Sequence, residues 1–145
     1  MDLNLRVLNQ VTGILLLVSG CSMILPAVVA VIYGETSSLL AFVKVLIPSI
    51  LLGTILIIFA RPKNVHMRMR DGFLIVSVCW LLLSLIGALP FVISGSIPNY
   101  IDAFFETCSG YSTTGATILA DIESLPKSML FWRSFTHWIG GMGVL

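Results

Sequence analysis

The chain has 145 residues, of which 57% are hydrophobic and only 10% charged, with a mean hydropathy of +1.03. That balance lies well outside the usual composition of a soluble domain and reads as an integral membrane protein. The formal net charge of +1, without any dense Lys/Arg cluster, gives no ground for nucleic-acid binding. Cys21, Cys79 and Cys108 stand far apart with no CxxC or CxxH spacing, so they read as small buried hydrophobes and not as a disulfide framework or metal site.

Residues 7–33 carry no charge and exceed the roughly 20 residues that a bilayer core demands. This run is also too long for a signal peptide and lacks a suitably placed small-residue cleavage site. Pro26 is expected to kink this first span or mark its end. A polar turn containing Glu35 comes next, and then a second span over 39–60. Lys44 and Pro48 interrupt that span. Lys44 is near enough to the helix start to snorkel to the interface, the alternative being an intramembrane functional charge.

The segment from Arg61 to Asp71 holds half of the eight basic residues. By the positive-inside rule it is cytoplasmic, which places the N-terminus inside and Glu35 outside. Its basic charge suits topology or anionic lipid first, a cytosolic partner second.

A third span covers 72–94, with a break expected at Pro90. Asn99 can cap the next helix, and Asp102 suits the positive end of its dipole. That helix, over about 99–110, is too short to cross. It must therefore re-enter, which is tolerated only where irregular backbone is buried in protein or lines a water-filled cavity. It runs into Ser112, Thr113, Thr114, Gly115, Ala116 and Thr117, residues without bulk that let the backbone extend. The pattern reads as a pore helix followed by an ion filter over 113–117, in which carbonyls replace the hydration shell of potassium. A Thr-Thr-Gly run alone means only a turn; its place between two apolar stretches carries the reading. Glu106 is either a buried hydrogen-bonding strut behind the filter or a charge in the upper vestibule.

Asp121 and Glu123 are either an acidic mouth that concentrates cations or a solvated loop. A last helix begins near 126 and is still apolar at Leu145. Measured from Lys127 it reaches only about 28 Å, and it is expected to be truncated. Trp132 and Trp138 fit an interfacial belt. Arg133 and His137 share one helix face, suited to lining the pore entrance or bonding to loop carbonyls; His137 reads as a structural hydrogen-bonder before a proton relay. Gly140, Gly141 and Gly143 permit close helix approach.

From about Arg70 onward the sequence resembles the bacterial Trk-type potassium uptake proteins (TrkH and TrkG, of the Trk/Ktr/HKT superfamily). The similar stretches are Arg70-Asp71-Gly72-Phe73-Leu74-Ile75-Val76, Leu89-Pro90-Phe91, Asp102-Ala103-Phe104-Phe105-Glu106, Thr113-Thr114-Gly115-Ala116-Thr117, and Arg133 followed by Trp138-Ile139-Gly140-Gly141-Met142-Gly143. The resemblance implies a leading helix pair and four linked helix-pore-helix repeats, each giving one filter strand. This sequence would comprise the pair, 1–71, and most of the first repeat, 72–145. Carried over by position, Thr113 and Thr114 would offer potassium-coordinating carbonyls, Gly115 would be the central filter glycine, and Ala116 and Thr117 its outer end, with Glu106, Ser112 and Arg133 in support. Ala116 stands where potassium channels have a tyrosine, so packing behind the filter should be weaker.

The expectation is thus an all-α integral membrane protein in a bacterial inner membrane, with a cytoplasmic N-terminus, that takes up potassium passively or by symport. No cofactor is expected, and potassium is the transported ligand. The resemblance further implies a homodimer gated by TrkA, a cytosolic nucleotide-binding regulatory subunit. The alternative is a non-conducting membrane anchor or assembly module in which the Thr-Thr-Gly run is a plain turn. An enzyme finds little support, since the spans lack paired carboxylates, an HExxH motif or a usefully spaced Ser/His pair.

Overall fold

A computed structural model describes residues 5–60 and 69–143. The described residues form six α-helices and no strand: α1 (Leu5–Ser22), α2 (Ile24–Ile32), α3 (Thr36–Phe59), α4 (Met69–Ile93), α5 (Tyr100–Tyr111) and α6 (Lys127–Gly143). Three stretches are long and apolar enough to cross a membrane: Asn9–Ile32, Thr36–Phe59 and Gly72–Ile93. The basic loop is centred on 61–68, outside the described residues, as are the side chains of 69–71.

The first span is two helices in line, interrupted at Met23. Pro26 explains the position of the break: it has no N–H for the carbonyl of Ser22, and its ring crowds that same carbonyl. Pro48 and Pro90, by contrast, lie inside α3 and α4 without ending them. The break expected at Pro90 is therefore absent. Pro90 is fully buried between the core residues Ala88 and Phe91, and this packing carries the helix through to Ile93.

Helices α1 and α3 pack backbone to backbone through glycine. A Cβ built on Gly13 would lie 2.9 Å from the carbonyl oxygen of Gly53, and one on Gly53 would lie 2.8 Å from that of Gly13. The cysteines depart from the expectation of burial: Cys21 and Cys108 are exposed, Cys79 is half-buried, and all three are free thiols. Cys21 follows Gly20, whose own position faces Ile50 and Ser49 of α3, so the cysteine is turned away from that neighbour. Lys44 is exposed.

One end of the molecule holds the main core, in which Met23 and Phe42 of the leading helices meet Phe91, Ile97, Leu125, Met129 and Trp132. Trp132 is fully buried. Its indole N–H donates to the Gly87 carbonyl at 3.0 Å, and its ring meets Phe42 edge-on with centroids 6.2 Å apart. The interfacial-belt expectation fails for Trp132, because the leading pair covers it; Trp138 remains 58% exposed.

At this same end the Ser37 hydroxyl donates to the Ser94 carbonyl at 3.2 Å, and Glu35 reaches the first residues of α6. The turn between α2 and α3, the turn after α4 and the start of α6 therefore share one level. From there α5 runs back along α4. The Tyr100 hydroxyl donates to Leu85 O at 3.0 Å, Thr107 Oγ1 donates to Ser84 O at 2.8 Å, and the Tyr111 ring lies 6.5 Å from that of Trp80. Helix α5 thus ends beside the middle of α4. Residues 112–126 then climb back to where α6 begins.

Candidate functional site

Asn99 starts α5. Its backbone is extended, and its side chain accepts from the Ile101 N–H at 3.0 Å, satisfying one of the helix's orphan donors. Asp102 sits in the first turn, where the helix dipole favours a negative charge. With 12 residues the helix is about 18 Å long, less than a bilayer core.

Beyond α5 the chain is irregular in a defined way. The N–H groups of Thr113, Thr114 and Gly115 turn back onto the end of the helix, reaching Gly110 O at 2.9 Å, Ser109 O at 3.0 Å and Ser109 O at 3.5 Å. In a trans peptide the carbonyl of the preceding residue points opposite to the N–H. The carbonyls of Ser112, Thr113 and Thr114 therefore face away from α5. Thr113 and Gly115 have φ of 58° and 76°. This left-handed conformation is free for glycine but strained by about 1–3 kcal/mol for a non-glycine residue. For the β-branched Thr113 it is a genuine outlier. Residues 112–118 are all exposed.

Side chains brace this backbone on both sides. The Ser112 hydroxyl lies 2.8 Å from that of Thr114 and 3.3 Å from Ser109 O, to which it donates. Thr113 Oγ1 donates to Ser112 O at 2.7 Å. Ser109 Oγ donates to the carbonyl of Ala116 at 2.7 Å. The Ala116 carbonyl is thus turned back toward α5, which departs from its expected place in the ion-facing row. The reason is local: after the left-handed Gly115 the chain reverses its carbonyl direction, and a buried hydroxyl is waiting there.

Beyond Ala116 the segment is clamped by Glu106, which is 1% exposed. Its Oε1 accepts from the Thr117 hydroxyl and from the Ile118 N–H at 2.8 Å. Its Oε2 accepts from Arg133 Nε at 2.8 Å, and the two side chains are 0% and 14% exposed respectively. One carboxylate therefore joins the short helix, the extended segment and α6. Removing such a charge from water is costly, and here three charge-assisted bonds offset it. Of its two sequence readings, the buried one describes the geometry.

Arg133 turns to Glu106 and bonds no loop carbonyl among the described residues, while His137 Nδ1 lies 2.9 Å from Arg133 O in its own helix. Helix α6 approaches closely here. A Cβ on Gly140 would lie 2.1 Å from Tyr111 O, and one on Gly110 would lie 2.3 Å from Thr136 Oγ1. Two contributors escape a reading of the sequence. Ser109 is visible there only as one small residue among several. Glu35 bonds residues more than ninety positions away, and no local pattern announces it. Asp121 forms a tight turn, its carboxylate accepting from the Glu123 N–H at 3.0 Å, and both residues are exposed.

Three membrane-length apolar spans, with a short helix and an extended segment packed between the last of them and α6, define an all-helical integral membrane protein. The family model described as TrkH, cation transport protein, matches residues 38–145, and the chain belongs to that family, which consists of transporters and not enzymes. It is 40% identical over 145 residues to the Trk system potassium uptake protein TrkH of Salmonella typhimurium, covering 99% of this chain and 30% of that one. It is 37% identical to TrkG of Escherichia coli, covering 98% and 29%, and 37% identical to an uncharacterized cation transporter of Methanocaldococcus jannaschii, covering 94% and 28%. The crystal structure of the potassium transporter TrkH from Vibrio parahaemolyticus superposes with a TM-score of 0.87 at 37% identity, over 97% of this chain and 30% of that one. The chain thus spans about 30% of the length of these relatives.

Proposed function

We propose that this chain provides one strand of a four-stranded potassium filter in the membrane subunit of a Trk-type uptake system. The carbonyls of Thr113 and Thr114 face the ion, and Gly115 lets the backbone turn between ion-facing and anchored halves. Ala116 and Thr117 anchor the outer end through Ser109 and Glu106. Ser112 and Arg133 support the strand from either side. Helix α5 re-enters the membrane and ends near mid-depth, where its negative dipole end favours a cation.

The observation that carries this reading is the direction of three successive peptide groups. Their N–H ends are held by α5 and their carbonyl ends face away from it along an exposed segment, that of Ser112 taken by Thr113 Oγ1 and those of Thr113 and Thr114 without a donor among the described residues. A plain turn has no need for a strained Thr113. By family resemblance the complete transporter acts in the bacterial inner membrane as a homodimer with TrkA, by passive or symport uptake, and the basic loop keeps the N-terminus cytoplasmic.

The test is Gly115→Ala in a full-length transporter carrying this segment, assayed in cells that lack their own potassium uptake. A Cβ at Gly115 meets nothing within 4 Å among the described residues, so its local effect is confined to the backbone. The expected result is weakened discrimination of potassium over sodium at normal protein level. Unchanged discrimination would remove Gly115 from the filter.

A further inference from the structure

Helix α6 begins without a cap of its own. Pro126, whose carbonyl accepts the Leu130 N–H at 2.9 Å, has no side-chain acceptor to offer the helix's first N–H groups. Those groups are satisfied from another part of the chain. Glu35 Oε1 accepts from the Lys127 N–H at 2.6 Å and Oε2 from the Ser128 N–H at 3.1 Å, and the Ser128 hydroxyl also donates to Oε2. Glu35 lies just outside the family match, which begins at residue 38.

Its own position is fixed. Gly34, with φ of 69°, ends α2 in a Schellman turn in which the Glu35 N–H reaches Ala30 O at 2.8 Å and the Gly34 N–H reaches Val31 O at 3.2 Å. The carboxylate is thereby presented from a rigid corner. Beside it, Phe42 packs edge-on against Trp132, the residue immediately before Arg133. The cap sets the height of α6, and the aromatic contact sets its rotation. Less than two turns beyond the cap, Arg133 meets Glu106, which holds Thr117 and Ile118.

We infer that Glu35 is a positioning residue for the extended segment. Through α6 and the Arg133–Glu106 pair, the leading helix pair sets where Thr117 and Ile118 stand. The inference rests on the filter reading proposed above and assigns the leading pair a part in selectivity.

The experiment compares Glu35→Gln with the unaltered full-length transporter for membrane level, potassium uptake and preference for potassium over sodium. An amide keeps the shape of the side chain but puts an NH2 donor against an N–H donor of α6. The preference is expected to fall on the order of threefold, a typical size for coupling through a packed network, while Glu35→Asp restores part of it. Combined with Thr117→Val, the loss should be less than the two single losses together, because both act on the same bond set. If Glu35→Gln does not accumulate in the membrane, Ser128→Ala, which leaves the backbone cap in place, is measured in its stead and should show a smaller fall of the same kind. Wild-type preference in whichever variant accumulates, or strict additivity with Thr117→Val, would overturn the inference. Gly115→Ala run alongside separates the two ideas: if it too leaves preference unchanged, the filter reading fails as well; if it alone alters preference, only the role of Glu35 falls.

Discussion

Among the described residues, two helix contacts bring backbone against backbone through glycine, and they do different things. Between α1 and α3, Gly13 and Gly53 face each other so closely that a Cβ on either would meet the other's carbonyl oxygen. Both partners are regular, apolar helices, and the contact simply brings two backbones together. Between α5 and α6, Gly140 admits the backbone of Tyr111 at the point where α5 stops being regular. Here the close approach comes with a buried carboxylate, an arginine and a strained threonine. The first contact makes a scaffold; the second holds a backbone in a shape it would not adopt alone.

The second contact is disrupted most severely by Arg133→Met. Glu106 would remain buried without its cationic partner, at about 3–5 kcal/mol, and thermal unfolding of the full-length transporter in detergent should show a large fall. The double variant Glu106→Gln with Arg133→Met should be less damaged than Arg133→Met alone, which a double-mutant cycle reads directly. Next is Gly140→Ala. Its Cβ would lie 2.1 Å from a backbone atom that cannot rotate away, and overpacking of this kind costs about 1–3 kcal/mol. Gly13→Ala, with 2.9 Å to its nearest neighbours, should cost less and leave ion preference unchanged, whereas Gly140→Ala should alter both stability and preference.

Asn99→Ala removes the cap of α5 and should lower stability by about 1 kcal/mol, seen as a modest shift of the same unfolding transition. The smallest effect belongs to Gly141→Ala, whose Cβ would have only Thr113 Cγ2 in view, at 3.9 Å, among the described residues. Ordinary contact and better helix propensity should keep it within about 0.5 kcal/mol of the parent. A large loss at Gly141 would mean that this face of α6 is more crowded than the chain itself shows.

The spans are legible in the sequence because an apolar run of membrane length has few other uses, and α5 is legible because Asn99 caps it and its length forbids a crossing. The pairing of Glu106 with Arg133 is not, although both residues stand out. A carboxylate in a short helix and an arginine in a later one become partners only when the chain between them folds back. Trp132 misleads for a related reason: a tryptophan near a helix start looks the same whether it faces lipid or Phe42. Pro90 misleads because the propensity of proline to stop a helix is overridden when the residue is packed on all sides. The direction of the Ala116 carbonyl depends on a left-handed glycine one residue earlier and on Ser109, and neither effect shows in composition or periodicity. Glu35 looks like no more than a marker of sidedness, since its partners lie at the far end of the sequence.

The central claim is that the carbonyls of Thr113 and Thr114 face a cation across from α5. Anomalous diffraction from crystals of a full-length transporter carrying this segment, grown with rubidium in place of potassium, tests it most directly. Rubidium is expected on the side of these carbonyls turned away from α5, in line with strands from the rest of the pore. Carbonyls turned toward α5, or a segment filled by side chains with no rubidium beside it, would contradict the claim.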